Sequence, residues 1–257
     1  MSNSLFHSII FGPVRSRRLG VSLGINLLPT HVKFCSFNCI YCECGWTEAS
    51  DVSQANFHPR EEIFRELETK LLTLKGQQLD VDSLTYAGNG EPTMHPQFNE
   101  IVDDTLSLRD KYFPLAKVTV LSNSTMLSNE KVFRALLKTN NLMKLDSGTE
   151  ETFQIINNPR ISITLSEIVN NLKRFDGRLV IQSMFVRGKI GDKIIDNTQE
   201  SELNTWLKHL DEIKPAEVQV YSIDRRPPLA QLEKISREEL LEIANKVEQL
   251  NLKAIVY

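Results

Sequence analysis

The chain has 257 residues, 30 lysines plus arginines against 33 acidic residues for a net charge of −3, and a 41% hydrophobic content. That length builds one large domain or two small ones, and a quarter of charged residues without excess Gly or Pro excludes disordered, collagen-like and low-complexity chains. A mildly acidic molecule is not a general nucleic-acid clamp, no run approaches the ~20 apolar residues of a membrane span, and no secretion signal opens the chain, so a cytoplasmic protein away from membranes is expected.

Taken in chain order, the first ~20 residues carry R-x-R-R at Arg15, Arg17 and Arg18. Such a cluster reads as a solvated basic turn, or as a grip on carboxylate or phosphate near a substrate. A strand is expected over Ser22–Leu28, followed by a cysteine loop. Helix Glu61–Leu74 places Ile63, Phe64, Leu67, Leu71 and Leu74 on one side, with Pro59 near its start. Strand Ser83–Ala87 runs into Gly88–Pro92, and Phe98–Leu108 is a less regular helix. Strand Lys117–Leu121 leads to Ser122–Ser124, and helix Asn129–Lys138 follows with Ser128 as its N-cap. Strand Leu142–Asp146 precedes a short helix over Thr149–Ile156. Helix Ser166–Phe175 carries a Thr164/Glu167 capping box, and helix Arg237–Leu250 a Ser236/Glu239 one. Between them lie strand Leu179–Val186, helix Thr205–Ile213 and strand Glu217–Ile223, and Ala254–Tyr257 reads as a short closing strand.

About six strand–helix units argue for a parallel α/β architecture. Six suit a partial (β/α)6 TIM-like barrel, and a doubly wound sheet competes with it on periodicity alone. No linker or repeat divides the chain, so one domain over residues 1–257, with an N-terminal extension of about 20 residues, is expected. In either architecture ligands bind at the C-terminal strand ends, where the polar loops collect.

All four cysteines, Cys35, Cys39, Cys42 and Cys44, fall within ten residues. A disulfide framework would spread them, so clustering points to metal or redox chemistry. The pattern C-x3-C-x2-C at Cys35, Cys39 and Cys42 offers three thiolates for a [4Fe–4S] cluster and leaves one iron open. A zinc site wants four closed ligands, and Cys44 as a fourth keeps that reading alive.

With Tyr41 just before the third cysteine and A-G-N-G-E-P-T at Ala87–Thr93, the chain resembles the radical S-adenosylmethionine (radical SAM) superfamily. The stretch F-G-P-V-R-S-R-R-L-G-V-S-L-G-I-N-L-L-P and the C-x-C-G-W after the cysteines look like the subgroup similar to wyosine-tRNA synthesis radical enzymes. The resemblance implies that Cys35, Cys39 and Cys42 hold the cluster and that S-adenosylmethionine chelates its fourth iron. It puts Tyr41 against the cofactor's adenine or in a backbone contact with it, the backbone of Gly88, Asn89, Gly90 and Glu91 against its methionine end, and Ser122 and Asn123, for which a turn or helix entry competes, near its ribose. Asp146, Ser147 and Gln182 are weaker candidates. Helix capping competes for Asp146 and Ser147, and an interior hydrogen-bonded amide competes for Gln182. Tyr221, Asp224, Arg225 and Arg226 collect at the last strand end, where a solvated loop is the plainer reading. His95 reads as a structural partner rather than a catalytic base.

The implied activity is reductive cleavage of S-adenosylmethionine to a 5′-deoxyadenosyl radical, fed by an electron donor such as flavodoxin or ferredoxin. The substrate, a small molecule or a nucleic-acid base, is unidentified. The net charge weighs against extended nucleic-acid binding, since phosphate contacts dominate such affinity. The segment 173–193, with six basic residues against Asp176 and Asp192, reads as a local basic patch or as an ordinary strand with exposed ends. A glycyl-radical-type activating enzyme acting on a protein and a non-catalytic zinc-stabilised binding module stay open as alternatives.

Overall fold

The computed structural model describes residues 5–48, 55–191, 193–224 and 229–257. Six strands run parallel in chain order: β2 (Gly20–Ile25), β3 (Ser83–Tyr86), β4 (Lys117–Ser122), β5 (Asn140–Lys144), β6 (Val180–Ile190) and β8 (Glu217–Ser222). Helices α1 (Arg60–Gly76), α2 (Phe98–Tyr112), α3 (Glu130–Leu136), α4 (Glu150–Ile156), α5 (Leu165–Lys173) and α6 (Glu200–Ile213) make the crossovers. The open curved sheet is the partial barrel, and the sequential strand order rules out a doubly wound sheet, whose order reverses at a switch point. After β8, helix α7 (Arg237–Glu248) returns the chain to β10 (Ala254–Val256), which pairs parallel with β8.

Alternation along the strands explains both layers. On β3, Leu84 and Tyr86 face α2, where the Tyr86 hydroxyl donates to Thr105 Oγ1 at 2.6 Å and its ring meets Phe98 edge-on. Ser83 and Thr85 point inward and join a hydroxyl ladder with Ser22 and Thr119, each link at 2.8–2.9 Å. Further round, Gln182 donates to Gln219 at 2.8 Å. The barrel interior is therefore polar and paired, while the apolar core lies between sheet and helices. Ile63, Leu67, Leu71 and Leu74 of α1 and Trp206 and Leu210 of α6 are buried there.

The structure departs from the sequence expectations at the margins. Residues read as an extension form β1 (Ile10–Ser16), antiparallel to β2 with an irregular register between Phe11 and Val14. Its Gly12 and Pro13, exposed edge and charged end hide the strand pattern, as suits an edge strand. β7 (Lys193–Asp196) and β9 (Leu232–Lys234) pair with the far end of β6, which runs four residues past its expected end. The cap of α3 is Asn129, whose side chain accepts from Lys131 N, not Ser128. Both expected capping boxes, Thr164/Glu167 and Ser236/Glu239, are formed. No helix among the described residues is long and apolar enough to cross a membrane.

Candidate active site

At the C-terminal ends of the strands lies a cavity of about 360 Å³, within the ~300–1,000 Å³ usual for small-molecule sites. Cys35, Cys39, Cys42 and Cys44 line one side, none of them in a disulfide. The cysteine loop is stitched into the barrel on both flanks. Phe34 N donates to Asn89 O at 2.7 Å, and Glu91 N to Phe34 O at 3.0 Å. On the other flank Asn38 N donates to Asn158 O, Ile40 N to Ile156 O and Arg160 N to Ser36 O, at 2.8–3.0 Å. Asn38 also closes the loop on itself, with its side chain bonded to both the N–H and C=O of Thr47.

The Gly-Asn-Gly-Glu loop needs its glycines. Gly90 has φ +139°, and a Cβ there would sit 1.8 Å from Phe34 O; one on Gly88 would sit 2.6 Å from Asn26 Oδ1. The loop therefore lies flush against the cysteine loop and leaves Gly88 and Gly90 lining the cavity. Asn89 turns the other way. Its amide donates to the carbonyls of Phe6 and Pro29 and accepts from Phe6 N, which pins the N-terminal segment. Glu91 is buried, and its carboxylate accepts from Thr93, Ser122 and the backbone N–H of Asn123. Burial pushes its pKa up against those bonds. Glu91 and Ser122 thus fix the end of β4, so that the Asn123 amide reaches Cys35 Sγ at 3.6 Å and Ser36 Oγ at 2.9 Å.

Asp146 does the same at the end of β5. It is buried and accepts from the Tyr41 hydroxyl, Asn157 Nδ2 (2.8 Å) and Met184 N (2.8 Å), with Lys144 Nζ at 3.6 Å. Ser147 is buried with its hydroxyl unpaired among the described residues. Gln182 lines the cavity while bonded to Gln219.

Three site residues carried no motif in the sequence. Lys33 is buried, donates to Gly45 O at 2.8 Å and bonds Cys42. Burial alone would lower its pKa, but the neighbouring cysteines, Cys42 foremost, outweigh that and raise it. Asn157 places Nδ2 at 3.6 Å from Cys39 Sγ. Lys144 donates to the Tyr221 hydroxyl at 2.7 Å and lies 4.9 Å from the Tyr41 ring centroid. Lysine at a strand end ordinarily reads as a solvated terminus, and Asn157 as a helix cap, so only the three-dimensional pairing singles them out.

The thiols are not equivalent. Burial pushes Cys35 up and Cys39 up to about 11. Cys42 is held well below the usual thiol range by hydrogen bonding from Cys44, with Lys33 adding to it. Among the described residues no three His, Cys, Asp or Glu side chains converge on a single-ion position. Thiols spread around a cavity, with N–H donors on Cys35 and Cys39 and a buried ammonium beside Cys42, suit a many-atom iron–sulfur cluster better than one zinc ion.

The sequence profile of the radical SAM superfamily matches residues 30–199. The chain belongs to the radical SAM superfamily. Among curated proteins it is similar to one named GTPase Obg of Brachyspira hyodysenteriae, 33% identical over 90% of this chain but 32% of that protein. It is also similar to a UPF0026 protein of Methanocaldococcus jannaschii, 31% identical over 93% of this chain and 70% of that protein. The chain thus spans about a third of the first relative's length, and it contains no G-x-x-x-x-G-K-[ST] phosphate loop. The fold is that of Streptococcus suis SuiB bound to S-adenosylmethionine, with a TM-score of 0.63 at 16% identity over 88% of this chain and 48% of that one. A structure of TYW1 with a lysine-pyruvate adduct bound scores 0.58 at 16% identity, over 89% of this chain and 73% of that one.

Arg225 and Arg226, and part of the basic segment at Asp192, lie outside the described residues. Elsewhere in that segment Lys173 pairs with Glu212, Arg174 with Glu130, and Arg187 with Asp196 and Glu239. Three of the segment's six cations are thus paired with acids of the same chain.

Proposed function

We propose that this radical SAM protein holds a [4Fe–4S] cluster on Cys35, Cys39 and Cys42, binds S-adenosylmethionine in the adjoining cavity and modifies a small molecule or nucleic-acid base. The observation that carries the reading is the set of three thiols lining one cavity with the Asn123 and Asn157 amides aimed at two of their sulfurs. Cluster and cofactor together supply an electron and the 5′-deoxyadenosyl radical that takes hydrogen from a substrate. The protein's part is to hold, orient and dry the site. Lys33 balances thiolate charge, and the amides of Asn123 and Asn157 stabilise negative sulfur.

Gly88 and Gly90 leave the loop backbone open to the cofactor's methionine end, with Gly90 N already bonded to Gly88 O. Glu91, Asn89 and Asp146 act as positioning residues in this reading: Glu91 through Asn123, Asn89 through the N-terminal segment, Asp146 through Tyr41. Ser122 and Gln182 face the cavity from β4 and β6 and would border the ribose and adenine. A flavodoxin- or ferredoxin-type donor would deliver the electron. The wyosine-like stretch supports a base as target, and the net charge of −3 supports a compact rather than an extended one.

Metal analysis after anaerobic reconstitution tests the ligand set. Wild type and Cys44→Ala should carry iron and sulfide in equal amounts, and Cys35→Ala, Cys39→Ala and Cys42→Ala should lose both. A colourless wild type with one tightly bound zinc, or loss of the cluster in Cys44→Ala, would overturn the assignment.

A further inference from the structure

Arg18 stands apart among the cations at the cavity. Arg17 is paired with Asp224 at 2.8 Å, Lys33 is spent on Gly45 O and Cys42, and Lys144 on Tyr221 and Asp146. The Arg18 guanidinium meets no acceptor and no carboxylate among the described residues, although it lines the cavity. It is nevertheless held in place. Its central carbon lies 4.3 Å from the ring centroid of Tyr221 and 5.5 Å from that of Tyr257. Stacking fixes the plane of a guanidinium and leaves its five N–H donors at the edge free for a planar oxyanion.

Its setting reinforces this. Tyr221 is a shared support: Arg18 covers its face while Lys144 bonds its hydroxyl. Two cations thus flank one ring at the side of the cavity formed by β5 and β8. The nearest acid on β8's continuation, Asp224, is already matched by Arg17 and Lys234. The hairpin β1–β2 carries Arg18 to this place, which accounts for the R-x-R-R cluster that the cofactor site leaves unused. Neighbouring Arg17 anchors the hairpin turn to the last strand end.

We propose that Arg18 is the anchor of an oxyanion subsite, so that the substrate carries a carboxylate or phosphate group bound by the Arg18 guanidinium beside Tyr221. This rests on the enzyme reading above and narrows its substrate class. A fork-shaped donor lying over an aromatic ring binds such a group bidentately, which also sets the orientation of the rest of the substrate toward the cysteine side.

The test is thermal stabilisation of the reconstituted protein by inorganic phosphate and, separately, by acetate, at constant ionic strength in chloride. S-adenosylmethionine is kept saturating so that its own carboxylate is already placed. Wild type and Arg17→Gln should show a saturable rise in Tm with one of the two probes, and the responding probe tells phosphate from carboxylate. Arg18→Gln should raise the half-saturating concentration about tenfold or more, and Arg18→Lys should recover part of the loss, because it restores charge without the fork. An equal response in Arg18→Gln, or no saturable response to either probe in wild type, would overturn the subsite. If that occurs while wild type still forms 5′-deoxyadenosine, the enzyme reading stands and only the subsite fails. A normal anion response without 5′-deoxyadenosine would instead remove the reading on which the subsite rests.

Discussion

At the scale of single residues, the site is built by buried acceptors that aim neighbouring donors. Glu91 accepts from Asn123, and Asp146 accepts from Tyr41 and Asn157. The sequence pattern marks Glu91 and Asp146 as cofactor-site residues, but a motif records which residue is present and not which donors its oxygens accept. Asn157, by contrast, was invisible: it sits at a helix end, where asparagine has an ordinary local explanation. Its amide should stabilise the more negative, reduced cluster. Asn157→Leu should therefore shift the cluster midpoint to a more negative potential, by roughly 40 mV for a bond worth about 1 kcal/mol, in an EPR-monitored redox titration. An unchanged midpoint with intact iron content would remove Asn157 from the cluster's surroundings. The Gly90 position is stricter still. Adding one methyl meets Phe34 O at 1.8 Å on a backbone with φ +139°, so Gly90→Ala should cost about 3 kcal/mol or more in denaturant unfolding. A loss under ~0.5 kcal/mol would mean that the two loops are not locked as described.

At the scale of elements, most helices and the six parallel strands were legible because each carries its own period and its own cap. Thr164/Glu167 and Ser236/Glu239 are local signals, and both are realised. Ser236→Ala should cost ~1 kcal/mol by chemical denaturation, and no loss would show that α7 is set by packing alone. The strands β1, β7 and β9 were not legible, since short, exposed edge strands lack alternation and owe their form to partners distant in sequence. His95 shows an element end that depends on protonation. Its Nδ1 accepts from Gln97 N at the start of α2, and its Nε2 faces His58 O at 3.0 Å, so the neutral ring satisfies both neighbours. Burial lowers its pKa below the ordinary 6.5. The unfolded chain then binds more protons in that window, and stability should fall as the pH drops below about 6.5. His95→Gln should flatten that limb of a stability-versus-pH curve. A curve of identical shape would show that His95 does not titrate there.

At the scale of the whole molecule, the barrel gathers loops from the strand ends onto one cavity, and this gathering is what sequence order could only suggest. The cysteine loop touches the glycine loop through Phe34 and Gly90 and the stretch after α4 through Phe37 and Pro159, joining three segments distant in sequence. Lys173 and Arg174 pair with acids on the outer surface, whereas Arg18 lines the cavity and meets no carboxylate among the described residues. In the function proposed above, these loops assemble a reductive S-adenosylmethionine site on three cysteines. The most direct test of that function is the yield of 5′-deoxyadenosine from the anaerobically reconstituted, dithionite-reduced protein supplied with S-adenosylmethionine. Wild type should form it and Cys39→Ala should not; no product from a fully iron-loaded wild type, or equal product from Cys39→Ala, would contradict the account.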